Sequence, residues 1–289
     1  MNPAIATKSR LSPRGWDRLT LMARFGWQRG ANAREKLRLF YQAGVKPSLV
    51  HRGWGALQPD KLQEFEIKVA PSRRFRVQLR DNQFDMTTFA EFFSAQHAII
   101  PTQMPPFVPK VIYDIGANIG IASLYFAARY PQAQCFGFEP VPSNFQICSA
   151  NYGNLPQGRM FPWAVGAHSG SATFEFDEAD LRGGRLEATQ PGGDKPAHQR
   201  LTVPVVSIAD LVTEQQLTPP DFVKIDVEGA EMAVLAGIGP CLPHIQRVLI
   251  ETHGVELLKQ CLAWLQANGF VIQDVHEVAP GFAAIWADR

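Results

Sequence analysis

The chain has 289 residues, enough to bury a full core, so one domain with an extension is expected. A hydrophobic fraction of 46%, a charged fraction of 19% and a net charge of +1 describe a soluble globular protein with no global field to attract nucleic acid. No apolar run is long enough to span a bilayer, no secretory signal is expected, and the four cysteines (Cys135, Cys148, Cys241 and Cys261) lack the C-x-x-C spacing of zinc or redox sites. The expectation is therefore a cytoplasmic protein with reduced thiols.

Residues 1–60 read as a basic helical extension. Between Lys8 and Arg52 lie eleven Lys or Arg and two acids, Asp17 and Glu35, with Trp16, Phe25, Trp27, Phe40 and Tyr41 interleaved. Ala33 to Ala43 sets Leu37, Phe40 and Tyr41 on one helical face. Such an arm suits an anionic surface, either lipid or a charged partner. The interruptions at Gly26, Gly30 and Gly44 suit instead an extension packed on the next domain. Residues 61–110 read as a β/α lead-in. Phe65, Ile67 and Val69 alternate, as do Phe75, Val77 and Leu79, so both runs read as strands. Phe84 to Ala98 reads as an amphipathic helix, and Pro101, Pro105, Pro106 and Pro109 stiffen the connection that follows.

Residues 111–289 alternate strands and helices. Val111–Ile115 is the first strand and Ile119–Tyr130 its helix. Gln134–Glu139 is the second strand and Pro142–Tyr152 its helix, with proline in the first turn. Met160–Val165 is a third strand, and Ser171–Phe176 alternates like an added edge strand. Leu181 to Gln199, rich in glycine and proline, reads as a long loop over the acceptor side. Val203–Val206, Phe222–Asp226 and Val248–Thr252 are further strands. Glu256–Asn268 is a periodic helix stopped by Gly269. Phe270–Val275 and Phe282–Trp286 close the chain as an antiparallel pair.

The turn after the first of these strands carries the ligand information. Asp114-Ile-Gly-Ala-Asn-Ile-Gly120 joins a buried strand to a helix, and Phe136-Gly-Phe-Glu-Pro140 ends the next strand in a carboxylate. This is the nucleotide half of a doubly wound sheet, with Glu139 placed to accept hydrogen bonds from ribose. The spacing Gly116-x-x-x-Gly120 is not the pyrophosphate fingerprint, and no triphosphate loop is present. An acid before the turn repels phosphate and suits an ammonium group. A phosphate-free nucleoside with an amino-acid tail, such as S-adenosylmethionine, fits. Asp114 is also able to serve simply as a helix cap.

A second cluster lies further on. Asp226, Glu228 and Glu231 follow one strand, and Glu251 and His253 end the next, where ligands bind in open α/β sheets. Methyl transfer to a hydroxyl needs in-line geometry and a proton acceptor, which a carboxylate or a histidine provides. Each residue has a plainer reading. Lys224 reaches solvent at an edge or pairs with an acid, Glu231 caps a helix, and His253 is a satisfied core histidine. Two or three acids with a histidine are also able to hold a divalent cation. Spacing does not fix ligand geometry, and no metal is assigned.

Together these residues resemble the FkbM family of S-adenosylmethionine-dependent methyltransferases, from about Phe75 to about Ile272. The matching pieces are Asp114–Gly120, Phe138-Glu-Pro140 with Asn151, Ala164-Val-Gly166 followed by Gly170, Asp221 to Glu231, and Glu251-Thr-His253. Leu79-Arg80, Asp85 and Phe89-x-Glu91-x-Phe93 look like the family's lead-in. Ile208-Ala209-Asp210 departs from the family's Leu-Asp pair. The resemblance implies a class I methyltransferase fold: an α/β, Rossmann-like, seven-stranded mixed sheet with helices on both faces. It implies S-adenosyl-L-methionine as cofactor, held by Asp114, Gly116, Ala117, Asn118, Gly120, Glu139, Pro140, Ala164 and Val165. It implies O-methylation of a sugar, glycan or natural-product hydroxyl, with Asp226, Glu228 and His253 as the catalytic residues. A nicotinamide-dependent oxidoreductase and a non-catalytic cofactor-binding scaffold are the competing readings.

Overall fold

The computed structural model describes residues 24–51, 53–54, 56–94, 105–177, 180–186, 199–215 and 217–289. Near the N-terminus, Asn32 caps a helix over Ala33–Phe40 by accepting from the Glu35 N–H at 3.0 Å. The expected continuation to Ala43 becomes a π-helical turn, Tyr41–Val45, before a short helix at Lys46–His51. Phe25 and Leu39 are buried against the following hairpin, whereas Trp27, Leu37, Tyr41 and Trp54 are exposed. Strands β1 (Gln58–Ala70) and β2 (Arg73–Asp81) form that hairpin, with Phe65 opposite Val77 and Ile67 opposite Phe75. Their alternating inward residues join the main core. The helix expected over Phe84–Ala98 is observed at Gln83–Phe93, capped by Asn82. Residues 95–104 lie outside the described residues.

The α/β core is built on β3 (Val111–Ile115), β4 (Gln134–Phe138) and β5 (Gly158–Phe161), with helices at Ile121–Arg129 and Pro142–Tyr152 between them. Three further strands, β6 (Ala164–Val165), β7 (Gly170–Asp177) and β8 (Asp180–Leu186), come next, followed by β9 (Gln199–Val206). The chain returns through β10 (Phe222–Ile225), β11 (Arg247–His253), β12 (Val271–Ala279) and β13 (Phe282–Asp288). The central sheet has seven strands in the order β12-β13-β11-β10-β3-β4-β5. Neighbours from β11 to β5 run parallel, and β13 lies antiparallel between β11 and β12. Both faces are covered. Ile112, Phe222 and Leu249 point into one apolar cluster, while Tyr113, Val223, Val248 and Ile250 point into the other. This is the mixed α/β sheet expected for a class I methyltransferase.

Three expectations are corrected. The single strand over Met160–Val165 is two strands, because Pro162 cannot donate to a ladder and the chain changes sheet there. The run Ser171–Phe176 is not an edge of the central sheet. It belongs to β7, inside a separate four-stranded sheet of order β6-β9-β7-β8. The front of the loop expected from Leu181 is β8, paired antiparallel with β7, with Phe174 opposite Leu186, Glu175 opposite Arg185 and Asp177 opposite Asp180. Residues 187–198, the rest of that loop, lie outside the described residues, as do residues 1–23 of the basic arm. Among the described residues, no helix is long and apolar enough to cross a membrane.

Candidate active site

The chain leaves the sheet centre outward through β4 and β5 and returns to the other side of β3 through β10. The crevice lies at that switch, beyond the carboxyl ends of β3 and β10. A cleft of about 590 Å³ opens there, lined on one side by Glu139, Pro140, Val141, Trp163, Ala164 and Val165. Gly116, Asn118, Asn144, Asp226, Val227 and Glu228 complete most of the wall. Among the described residues no Lys or Arg lines it, and three carboxylates do.

The turn is fastened to the tip of β4. The Gly116 and Ala117 N–H groups both donate to the Phe138 carbonyl at 3.0 Å. Asn118, at φ +50°, points its N–H at Glu139 Oε2 at 2.8 Å, while the Val141 N–H donates to Oε1 at 2.9 Å. Glu139 is therefore held in one orientation, with lone pairs left for a ligand. Burial pushes its carboxyl up to about 7, against the opposing effect of the two backbone donors.

Gly116 sits at φ +73°, and a Cβ there would lie 1.8 Å from the Asp226 carbonyl oxygen. That glycine is demanded by contact with the end of β10 rather than by a ligand. Gly120, at φ +83°, packs over Cys148, and Ala117 is buried. Asp114 is fully buried: Oδ2 accepts from Ser123 Oγ at 2.5 Å and Oδ1 lies 3.3 Å from Lys224 Nζ. Of the expected cofactor contacts, Gly116, Asn118, Glu139, Pro140, Ala164 and Val165 line the cleft. Asp114, Ala117 and Gly120 do not, because their groups are spent on building the turn from beneath. Trp163 and Asn144 were missed. Trp163 stacks on Phe161 beside the cleft, and an aromatic residue next to the Ala164-Val165 piece is the signal that pointed to it.

Lys224 does not reach an edge. It is buried in a central strand, and its ammonium donates to the Gly116 carbonyl at 3.0 Å and to Asp226 Oδ2 at 3.2 Å. Burial alone lowers its pKa, but Asp226 and Asp114 reverse that, and the net shift is upward. Past β10, Asp226 and Glu228 meet His253 from the end of β11. His253 Nε2 lies 3.7 Å from Asp226 Oδ1 and 3.4 Å from Glu228 Oε2. Its Nδ1 lies 2.7 Å from Glu231 Oε1, which also accepts from the Gly229 N–H at 3.0 Å. Burial lowers the His253 pKa, but the Glu231 hydrogen bond and the Asp226 and Glu228 charges outweigh it and lift it to about 9. Glu251 is pushed up to about 8, first by burial and then by Asp226. One ligand atom each from Asp226, Glu228 and His253 lies within 4.8 Å of the others, a spacing that admits a metal ion.

Residues 114–272 match the methyltransferase FkbM domain. The chain belongs to this family. Its domain is thus an S-adenosylmethionine-dependent methyltransferase. The FkbM-family chain is 29% identical over 143 residues to the hexuronic acid methyltransferase AglP of Haloferax volcanii, covering 50% of this chain and 56% of that enzyme. It is 29% identical over 200 residues to the 31-O-demethyl-FK506 methyltransferase FkbM of Streptomyces tacrolimicus, covering 60% and 76%. It is 30% identical over 211 residues to the methyltransferase sdnD of Sordaria araneosa, covering 62% and 81%. The chain spans little more than half the length of AglP.

The cleft fits this cofactor on its own chemistry. Among the described residues its lining carries three carboxylates and no Lys or Arg, which suits a sulfonium better than a pyrophosphate. It also offers the fixed acid Glu139 for ribose hydroxyls and the apolar surface of Trp163, Ala164 and Val165 for a base.

Proposed function

We propose that the chain methylates a hydroxyl oxygen of a sugar, a glycan or a secondary metabolite. The observation that carries the reading is the meeting of Asp226, Glu228 and His253 at the rim of the cleft that Glu139 closes on its far side. The AglP and FkbM relatives, which carry hexuronic acid and 31-O-demethyl-FK506 in their names, support a hydroxylated acceptor.

In this reading Glu139 holds the ribose, and Trp163, Ala164 and Val165 cover the base. The cofactor supplies an electrophilic methyl group. Asp226 and Glu228 orient the acceptor hydroxyl, and one of these carboxylates takes its proton as the oxygen–carbon bond forms. With a pKa of about 9, His253 is an imidazolium at neutral pH. It does not take the proton itself but holds the two carboxylates in place and balances their charge. Glu251, protonated below about pH 8, is a hydrogen-bond donor rather than a base.

One observation favours a second reading, in which a divalent cation bound by Asp226, Glu228 and His253 holds and acidifies the hydroxyl. Glu231 orients the imidazole through Nδ1 and leaves Nε2 facing the two acids, as carboxylate–histidine–metal arrangements do. The test uses methyl-labelled cofactor and a panel of uronic acids, hexoses and macrolide hydroxyls, with and without EDTA. The first reading expects an O-methylated product that EDTA does not abolish. Loss of product in EDTA, restored by magnesium, selects the second. Methylation at nitrogen or carbon only overturns both.

A further inference from the structure

Strand β2 makes a series of contacts that the matched domain does not contain, since β2 precedes residue 114. Residues Phe75, Val77 and Leu79 point into the core, and the intervening positions 76, 78 and 80 face the helix Pro142–Tyr152 and the turn that follows it. At position 76 the backbone N–H donates to Asn154 Oδ1 at 2.8 Å and the carbonyl accepts from Asn154 Nδ2 at 2.7 Å. At position 78 the N–H donates to Asn151 Oδ1 at 2.8 Å and the carbonyl accepts from Asn151 Nδ2 at 3.1 Å. Two asparagine amides thus occupy the free edge of β2 as a neighbouring strand would. Asn151 Nδ2 also donates to the Ile119 carbonyl in the cofactor turn at 2.7 Å.

The third contact reaches the cofactor site. Arg80 is buried, its N–H and Nε donate to Asp85 Oδ2 at 2.8 and 3.1 Å, and Nη2 donates to Asn144 Oδ1 at 2.8 Å. Asn144 lines the cleft together with Glu139, and its Oδ1 is already taken by Arg80. The chain Asp85–Arg80–Asn144–Glu139 is buried throughout. A planar guanidinium is suited to this task because it holds two partners at a fixed angle, which an ammonium does not.

We propose that Arg80 is a positioning residue for cofactor binding: through Asn144 it orients Glu139 toward the ribose, so the β1–β2 hairpin is part of the cofactor site. The proposal rests on the reading that Glu139 binds ribose. With its oxygen held by Arg80, the Asn144 amide has only its N–H₂ left to offer the cleft that Glu139 also lines. Without Arg80 the amide is free to flip, and an oxygen then faces Glu139.

The test is a double-mutant cycle on S-adenosylhomocysteine affinity, read by calorimetry on the full chain. Arg80→Lys keeps the charge and the Asp85 pairing but not the fork, and Asn144→Ala breaks the same link from the other side if the lysine variant folds poorly. Each is expected to weaken affinity about fivefold to tenfold, the size of one neutral hydrogen bond. In a Glu139→Ala background the Arg80→Lys effect should vanish, because the group it positions is gone. In kinetics Arg80→Lys should raise KM for the cofactor and leave kcat at saturation within about twofold. If the Arg80→Lys loss persists in full in the Glu139→Ala background, or appears in kcat with KM unchanged, Arg80 serves the fold alone and the proposal fails. If Glu139→Ala by itself leaves affinity unchanged, the ribose reading is what has failed.

Discussion

Lys224 and Asp114 form a buried ion pair between adjacent parallel strands, with 3.3 Å between Nζ and Oδ1. The same ammonium donates to the Gly116 carbonyl and to Asp226, so one cation ties the glycine turn after β3 to the acids past β10. The acid that the sequence offered to a ligand's ammonium already has an ammonium of the protein's own.

Removing that cation leaves Asp114 buried without its charge partner. Breaking a buried pair by deleting one member costs about 3–5 kcal/mol. Lys224→Met is therefore expected to lower the urea midpoint strongly, and Lys224→Met with Asp114→Asn should recover part of the loss. Equal stability of wild type and Lys224→Met would show that the pair contributes nothing.

The pH dependence of stability has a definite sign. The His253 pKa rises from 6.5 in the unfolded chain to about 9 in the fold. Its contribution is fully present below pH 6.5 and is lost as pH climbs through 9. Glu139 and Glu251 keep protons in the fold up to about 7 and about 8, above the ordinary 4.5, so they too make stability fall as pH rises from 4.5. The apparent melting temperature in EDTA should drop steadily between pH 6 and pH 9. His253→Gln should be less stable overall but show a shallower drop. Parallel curves for the two proteins would contradict the charge state assigned to His253.

Asp226 and His253 are expected to matter for turnover and little for cofactor affinity. Proton transfer by a positioned group contributes about a hundredfold to ten-thousandfold. Asp226→Asn should lower kcat by that order, and His253→Ala, which removes the charge that holds the two carboxylates, should lower it as well, while S-adenosylhomocysteine binds within about threefold of wild type. Full turnover in both variants would place the proton acceptor elsewhere.

Much of this was legible in residue order. Asp114–Gly120, Phe138-Glu-Pro140 and the terminal hairpin report local turns and buried strands, so the seven-stranded sheet and the place of its crevice follow from them. Other features depend on contacts distant in sequence. The burial of Lys224 follows from β10 being central, which strand composition alone does not establish. The left-handed Gly116 serves the Asp226 carbonyl, more than a hundred residues away, as its positive φ alone would not reveal. The front of the second sheet was read as a loop because the Gly183-Gly184 pair is a turn signal, which pairing with β7 overrode, whereas Pro162, read inside one strand, is where the chain changes sheet. Arg80 and Asn144 carry no motif between them, and only the fold brings them together.

The most direct test of the account is calorimetry of S-adenosylhomocysteine on wild type and on Glu139→Ala. The acid is buried and held by Asn118 and Val141 with capacity left for ribose hydroxyls. Hydrogen bonds to a charged acceptor are worth about 1.5–3 kcal/mol each, so affinity should fall at least tenfold in a variant that still melts cooperatively. A folded Glu139→Ala protein with wild-type affinity would contradict the placement of the cofactor in this cleft.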